Sequence, residues 1–201
     1  MTPNSETDSE NAPQIDPSVF IAPGVQIYGR VHVAAESSLW PNVVLRAESH
    51  EIRIGRYTNI QDFVMVHVGA GSSTEIGDFC SITHHVTVHG CRIEDDCLIG
   101  INAVVMDGAE IGHGSIVAGG AMIREGARFP AGSIIAGVPA KQVGERDASR
   151  ANRINAWHYH RNAEAYRRGD HRAWTGSDYE SWLKALLKQV EADADREALA
   201  G

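Results

Sequence analysis

The sequence predicts an all-β solenoid followed by C-terminal α-helices. Three observations carry this: a six-residue apolar repeat, a companion column of small residues, and a change to helical periodicity after residue 143. From Ile93 the chain divides into consecutive sixes that begin Ile93, Ile99, Val105, Ile111, Val117, Ile123, Phe129 and Ile135. The fifth positions are small: Cys97, Ala103, Ala109, Ser115, Ala121, Ala127 and Ser133. A period of six matches neither an amphipathic helix nor a plain alternating strand. It suits short strands folded around the corners of a prism, with first and fifth positions pointing inward. The recurring Gly, Asn and Asp suit tight corners that need unusual backbone angles.

The same frame runs upstream in three pieces: Ile21, Ile27, Val33, Leu39, Leu45; then Ile54, Ile60, Val66; then Ile76, Ile82, Val88. Between Val66 and Ile76 the segment "VGAGSST" is expected to form a short loop that preserves the stacking. After the repeat, Ile154, Trp157, Ala165 and Tyr166 predict an amphipathic helix from about 148 to 168 lying along the prism. "RRGDHRAWTG" breaks it. "SDYE" reads as a capping box, Ser177 with Glu180, opening a helix through about Ala198 with Trp182, Leu183, Leu186, Leu187 and Val190 on one face. The expected organisation is a disordered acidic tail over 1–16, the solenoid over 17–143, and a helical extension over 144–201 packing on the solenoid or a neighbouring copy.

The formal charge of −8 speaks against nucleic acid or anionic lipid as the main partner. No apolar run approaches the roughly 20 residues of a membrane helix, and the polar, acidic N-terminus does not read as a signal or transit peptide. Cys80, Cys91 and Cys97 form no CxxC pair, which reads as thiols in a reducing cytoplasm. Cys80 and Cys97 share the fifth-position column and are expected as packed core.

Stacking the first positions brings distant polar residues together. The six-residue pattern resembles the hexapeptide-repeat proteins, which implies three hexads per coil. On such a coil Leu45, Val66 and Val88 fall on one side of the prism, so Arg46, His67 and His89 should stand one above another at about 4.8 Å per coil. Ile60 under Ile82 sets Asp62 under His84, with Gln61 beside it. His67 and His89 thereby suit two ligands of one ion, and zinc holds imidazole nitrogens at roughly 2.0–2.1 Å. His84 precedes His89 by five residues, roughly 16 Å of extended chain. If His84 is a ligand, it comes from a neighbouring copy, and threefold symmetry fits a triangular prism. His85 should point to the surface or an interface, and His32, His113, His158, His160 and His171 read as surface residues.

From about Ile21 to Val143 the chain resembles the γ-class carbonic anhydrases, including carnitine-operon-like and ferripyochelin-binding-like relatives. The motifs are "LRAESHEIRIGRYTNIQD", "VMVHVG", "THHVTVHGCRIEDDCLIGINAVVMDGAEIG" and "IIAGVPAKQV". The resemblance implies a left-handed parallel β-helix with three hexads per coil, a hand otherwise rare for parallel crossovers. It implies a homotrimer in which His67 and His89 of one subunit and His84 of the next bind Zn2+, with Fe2+ or Co2+ as alternatives. Arg46 would pair with Asp62 of an adjacent subunit, Gln61 would orient the hydroxide, and "NAWHY" brings Tyr159 into consideration. The implied reaction is reversible hydration of CO2 to bicarbonate by a metal-bound hydroxide at the subunit interface. The family's glutamate-bearing loop is here "VGAGSST", and its Arg-Gly-Asp is "RAE" with Glu48. Both departures bear on proton export. A CoA-dependent acyltransferase, or a metal-binding assembly homologue with little turnover, stand as alternatives.

Overall fold

The computed structural model describes residues 12–200, with side chains through residue 192. The chain winds into a left-handed parallel β-helix of about seven turns and closes with two helices. Each turn has three short strands, and equivalent strands of successive turns hydrogen-bond in register. The first face stacks Ile21, Leu39, Ile60, Ile82, Ile99, Val117 and Ile135. The second stacks Ile27, Leu45, Val66, Val88, Val105 and Ile123. The third stacks Ile15, Val33, Ile54, Ile76, Ile93, Ile111 and Phe129. Almost all of these side chains between Val31 and Ile135 are shut off from solvent, so the predicted inward column is the hydrophobic core.

Each end of the solenoid carries an additional strand. Residues 1–11 of the expected tail lie outside the described residues, but Gln14–Ile15 is a strand paired with His32–Val33. Ile15 occupies a first position six residues ahead of Ile21, so the repeat simply begins one strand earlier. At the other end, Ser133–Gly137 turns back into Ala140–Glu145 as an antiparallel pair, with Ser133 opposite Glu145. The last parallel rung is thus at Ile135, and the antiparallel strand carries the chain to Glu145 before the helices begin.

The corners show why period six is tolerated by residues other than Gly, Asn and Asp. One corner carries Tyr57 and Phe79, both at φ +53°. Bulky residues pay roughly 1–2 kcal/mol for that left-handed geometry. Here the two rings stack at 5.0 Å and 4°, and Trp157 and the Arg153 guanidinium cover them at 4.7 and 4.8 Å.

That cover comes from helix α1 (Ser149–Arg167), which lies along the corner as the periodicity predicts. Arg153 grips the buried Asp96 through Nε to Oδ1 (2.9 Å) and Nη2 to Oδ2 (2.6 Å). Asn152 donates to the carbonyls of Asp96 (2.7 Å) and Ser115 (3.1 Å). Helix α2 (Ser177–Ala200) packs on α1 through Trp182, which Arg161 covers at 5.0 Å and His158 meets edge-on at 5.2 Å, and it buries Leu186 and Val190. Its Ser177 is already helical: the Glu180 N–H bonds to the Gly176 carbonyl, so Gly176 rather than Ser177 holds the cap position. Packing of α1, against α2 on one side and the solenoid corner on the other, also draws in two histidines expected on the surface. His158 is held between the Ile154 carbonyl (2.8 Å) and the Tyr179 hydroxyl (3.0 Å), and His160 packs edge-on against Tyr57 and Trp157. The heptad-like spacing alone does not tell which helix face a second helix will cover.

All three cysteines are free and buried, as the fifth-position column requires for Cys80 and Cys97. Burial pushes the Cys91 thiol up to about 12, and the Cys80 thiol also rises for the same reason. Because the thiolate is the reactive form, native protein at pH 8 is expected to show no reaction with Ellman's reagent. Three thiols per chain should appear in guanidinium chloride. Rapid labelling of folded protein would contradict this packing.

Candidate metal centre

The second face and its corner to the third assemble the predicted polar column. Arg46 lies in register with His67, and His67 with His89, on adjacent strands. The segment after His67 folds as expected into a loop that keeps the register. It closes through the Gly69 N–H on the Ser72 carbonyl (2.9 Å), and Thr74 Oγ1 donates to the His67 carbonyl while accepting the Gly90 N–H (2.8 Å). That hydroxyl ties together the backbones that carry the two histidines.

The side chains form one connected chain of contacts. His67 Nδ1 and His89 Nε2 face each other at 3.0 Å. The outer nitrogen of His67, Nε2, meets Glu48 Oε2 at 2.8 Å, and Glu48 also pairs with Arg46. The outer nitrogen of His89, Nδ1, meets Asp107 Oδ2 at 2.9 Å. Partial burial, with Arg46 and His89 nearby, holds the His67 imidazole below its ordinary pKa and so favours its neutral form.

His84 stands on the corner between the first and second faces, with Nδ1 3.0 Å from Asp62 Oδ2. It joins neither of the other histidines, and among the described residues no three His, Cys, Asp or Glu groups converge on one point. His85, at φ +60°, turns outward and stacks flat on Phe63 at 4.9 Å. Gln61 is 2 % exposed and donates Nε2 to Asn59 Oδ1 at 2.8 Å. Tyr159 packs edge-on to Trp40 at 5.7 Å. Burial, followed by the Asp62 charge, pushes its hydroxyl up to about 12, so it keeps its proton at neutral pH. Within the chain, then, Arg46 pairs with Glu48 and Asp62 with His84.

Two residues make contacts that the six-residue spacing does not predict. Glu48, which stands where the family motif has Asp, reaches His67. Asp107 falls in no predicted column. Extending the column Arg46, His67, His89 by one coil leads to Met106, and the contact comes from the residue after it.

Similarity to solved structures extends along most of the chain. A Bacillus cereus protein described as a candidate acetyltransferase is 33 % identical, with a TM-score of 0.77 over 80 % of this chain and 94 % of that one. A hexapeptide transferase family protein from Anaplasma phagocytophilum is 32 % identical, with a TM-score of 0.73 over 77 % and 92 %. The chain belongs to the hexapeptide transferase family. The model of that family, "Bacterial transferase hexapeptide (six repeats)", matches residues 90–125. Within this hexapeptide family, curated relatives align the chain with the γ-class carbonic anhydrases. "Probable carbonic anhydrase" of Methanocaldococcus jannaschii is 47 % identical over 91 residues, 45 % of this chain and 57 % of that protein. "Gamma carbonic anhydrase 2, mitochondrial" of Arabidopsis thaliana is 37 % identical over 108 residues, 51 % and 39 % of the two. The chain thus spans about half the length of the curated relatives it matches. No helix among the described residues is long and apolar enough to cross a membrane.

Proposed function

We propose that this protein is a metal-dependent hydratase of CO2, with its centre completed between copies of the chain. One observation carries the reading: each of the three histidines has a carboxylate on one ring nitrogen, leaving the other available. The pairs are His67–Glu48, His84–Asp62 and His89–Asp107. Ligating histidines commonly donate their second N–H to a carboxylate in this way.

The chemistry of the donor set fits a cation. A carboxylate accepts from a neutral imidazole only through the N–H, so Glu48 and Asp107 place the protons on the outer nitrogens. The inner nitrogens, His67 Nδ1 and His89 Nε2, are then two lone pairs 3.0 Å apart. Such a pair repels unless a cation lies between, and burial disfavours a proton on His67. Two imidazoles on one tetrahedral zinc stand about 3.4 Å apart at the nitrogens, so little movement is required. Zn2+, Fe2+ or Co2+ would be held by His67 and His89 of one copy and His84 of the next. When bound, the ion supplies a hydroxide nucleophile near neutral pH.

The chain's own residues do the rest. Arg46 would bridge to Asp62 across the interface, and Gln61, fixed by Asn59, would orient the nucleophile. Tyr159 keeps its proton and serves as a donor. Glu48 and Asp107 supply carboxylates that the loop after His67 lacks. Three buried free thiols suit a reducing compartment.

The test is metal content per chain of anaerobically purified protein, with solution mass and stopped-flow CO2 hydration on the same sample. The expected result is about one metal per chain, a mass three times the 21.8 kDa chain, and hydration lost on chelation. Metal without hydration would leave a metal-binding assembly role. The Bacillus cereus likeness favours a second reading, CoA-dependent acyl transfer. Acetyl-CoA turnover by metal-free protein would establish it.

A further inference from the structure

We propose that Asp107 is the positioning residue of the centre: it fixes the proton of His89 on Nδ1 and so presents Nε2 toward His67. The inference rests on the metal reading above, which uses the His89–Asp107 contact, and goes beyond it in making that one contact the determinant of the His89 tautomer and of metal affinity.

The site around Asp107 is built to hold that carboxylate. It lies two residues beyond Val105, whose strand pairs with the strand of Val88. Its backbone is fixed on both sides: the Gly108 N–H bonds to the Gly90 carbonyl at 2.7 Å, and the Gly126 N–H to the Asp107 carbonyl at 2.8 Å. Its Oδ2 meets His89 Nδ1 at 2.9 Å, on the side of the ring away from His67. Asp107 therefore acts through His89 and is not itself a ligand in this arrangement.

Its second oxygen occupies space that two glycines leave open. A Cβ on Gly69 would stand 2.1 Å from Asp107 Oδ1, and one on Gly90 would stand 2.5 Å from it. Gly90 also has φ +56°, so its lack of a side chain has a backbone reason. Gly69 has no such requirement, and its missing Cβ is explained by the neighbours it would strike, Asp107 and Ser72 Oγ at 2.4 Å. The loop after His67 thus contributes room for a carboxylate delivered from the coil above.

The tautomer is what this contact decides. Without an acceptor at Nδ1, the His89 proton is free to sit on Nε2, where it would face His67 and block a cation. A carboxylate that orients a ligating histidine changes metal affinity by about 10–100-fold.

The experiment compares wild type, Asp107→Ala, Asp107→Asn and Gly69→Ala, with His89→Ala as the ligand control. Co2+ and Zn2+ dissociation constants are measured by competition with a chromophoric chelator. The His89 tautomer is read in metal-free, 15N-histidine-labelled protein. Asp107→Ala is expected to weaken both metals about 10–100-fold and to shift His89 from Nδ1–H to a mixture of tautomers. Asp107→Asn retains an acceptor oxygen and should lose less. Gly69→Ala should weaken binding by displacing Asp107, and combining it with Asp107→Ala should add little. Wild-type affinity in Asp107→Ala beside loss in His89→Ala would overturn the proposal and leave the metal reading standing. Absence of metal binding by wild type would defeat the metal reading. The tautomer measurement would still decide the Asp107 contact, and Nε2–H in wild type would overturn it.

Discussion

Chains carrying His84→Ala alone, or His89→Ala alone, are expected to assemble, bind no stoichiometric metal and lose CO2 hydration by more than about 100-fold, beyond the effect of losing an outer carboxylate. Co-assembled, the two variants are expected to regain both. In a His84→Ala chain the His67–His89 pair, with facing nitrogens 3.0 Å apart, is intact. In a His89→Ala chain the His84–Asp62 pair is intact. Where one lends its pair and the other lends its corner, the site is whole. Random assortment in a closed ring of three leaves about a quarter of the sites complete. The same mixing experiment distinguishes a site made within one chain, because there each chain lacks a ligand and no mixture restores it. Metal and hydration at background in the mixed trimers would exclude sharing between copies. Unchanged metal content in the single variants would exclude these histidines as ligands.

The largest expected effect on stability lies far from the histidines. Arg153→Met should cost about 3–5 kcal/mol, because it strands the charge of a buried carboxylate. Asp96 is wholly buried, sits at φ +55°, and receives two hydrogen bonds from the guanidinium. The same guanidinium covers the Phe79 ring at 4.8 Å, so part of the loss is packing. Burial raises the Asp96 carboxyl above its ordinary value while Arg153 pulls it down, and burial prevails. A carboxylate whose folded pKa is raised favours the fold most below its unfolded value and loses that contribution as pH climbs through the folded value. Removing Arg153 raises it further. The deficit of Arg153→Met should therefore be greatest near neutral pH and shrink as pH falls toward 3.8, the ordinary carboxyl value. Denaturant melts at fixed protein concentration check this. Adding Asp96→Asn to Arg153→Met should restore most of the loss at pH 7. A pH-independent deficit, undiminished in the double variant, would assign the role of Arg153 to packing alone.

The core was legible because a solenoid's contacts are nearly one-dimensional. Ile60 meets Ile82, and Val66 meets Val88, whatever the rest of the chain does, since each coil contacts only the coils beside it. Counting sixes therefore yields spatial neighbours, including Arg46, His67 and His89. The loop between Val66 and Ile76 did not disturb this, because Thr74 and Gly90 pin it across the coil. Counting failed where side chains cross the register. Asp107 reaches down a coil, and Glu48 reaches up one from the residue two beyond Arg46. Neither reach is set by backbone spacing. The helices illustrate the same division: their extents followed from apolar periodicity, but the inward turn of His158 depended on how one helix meets the other.

By itself the sequence determined the prism, the stacking of its three faces, the order of its elements and the placing of Arg46, His67 and His89 in one column. Its spacing could do so because a repeat of short strands fixes backbone register, and register fixes which residues are neighbours. Only the tertiary structure decided which atoms meet: that three carboxylates each hold one histidine nitrogen, and that two other nitrogens face each other at 3.0 Å. Those contacts depend on side-chain direction across coils, through space that residues such as Gly69 leave open, and no period in the chain records it.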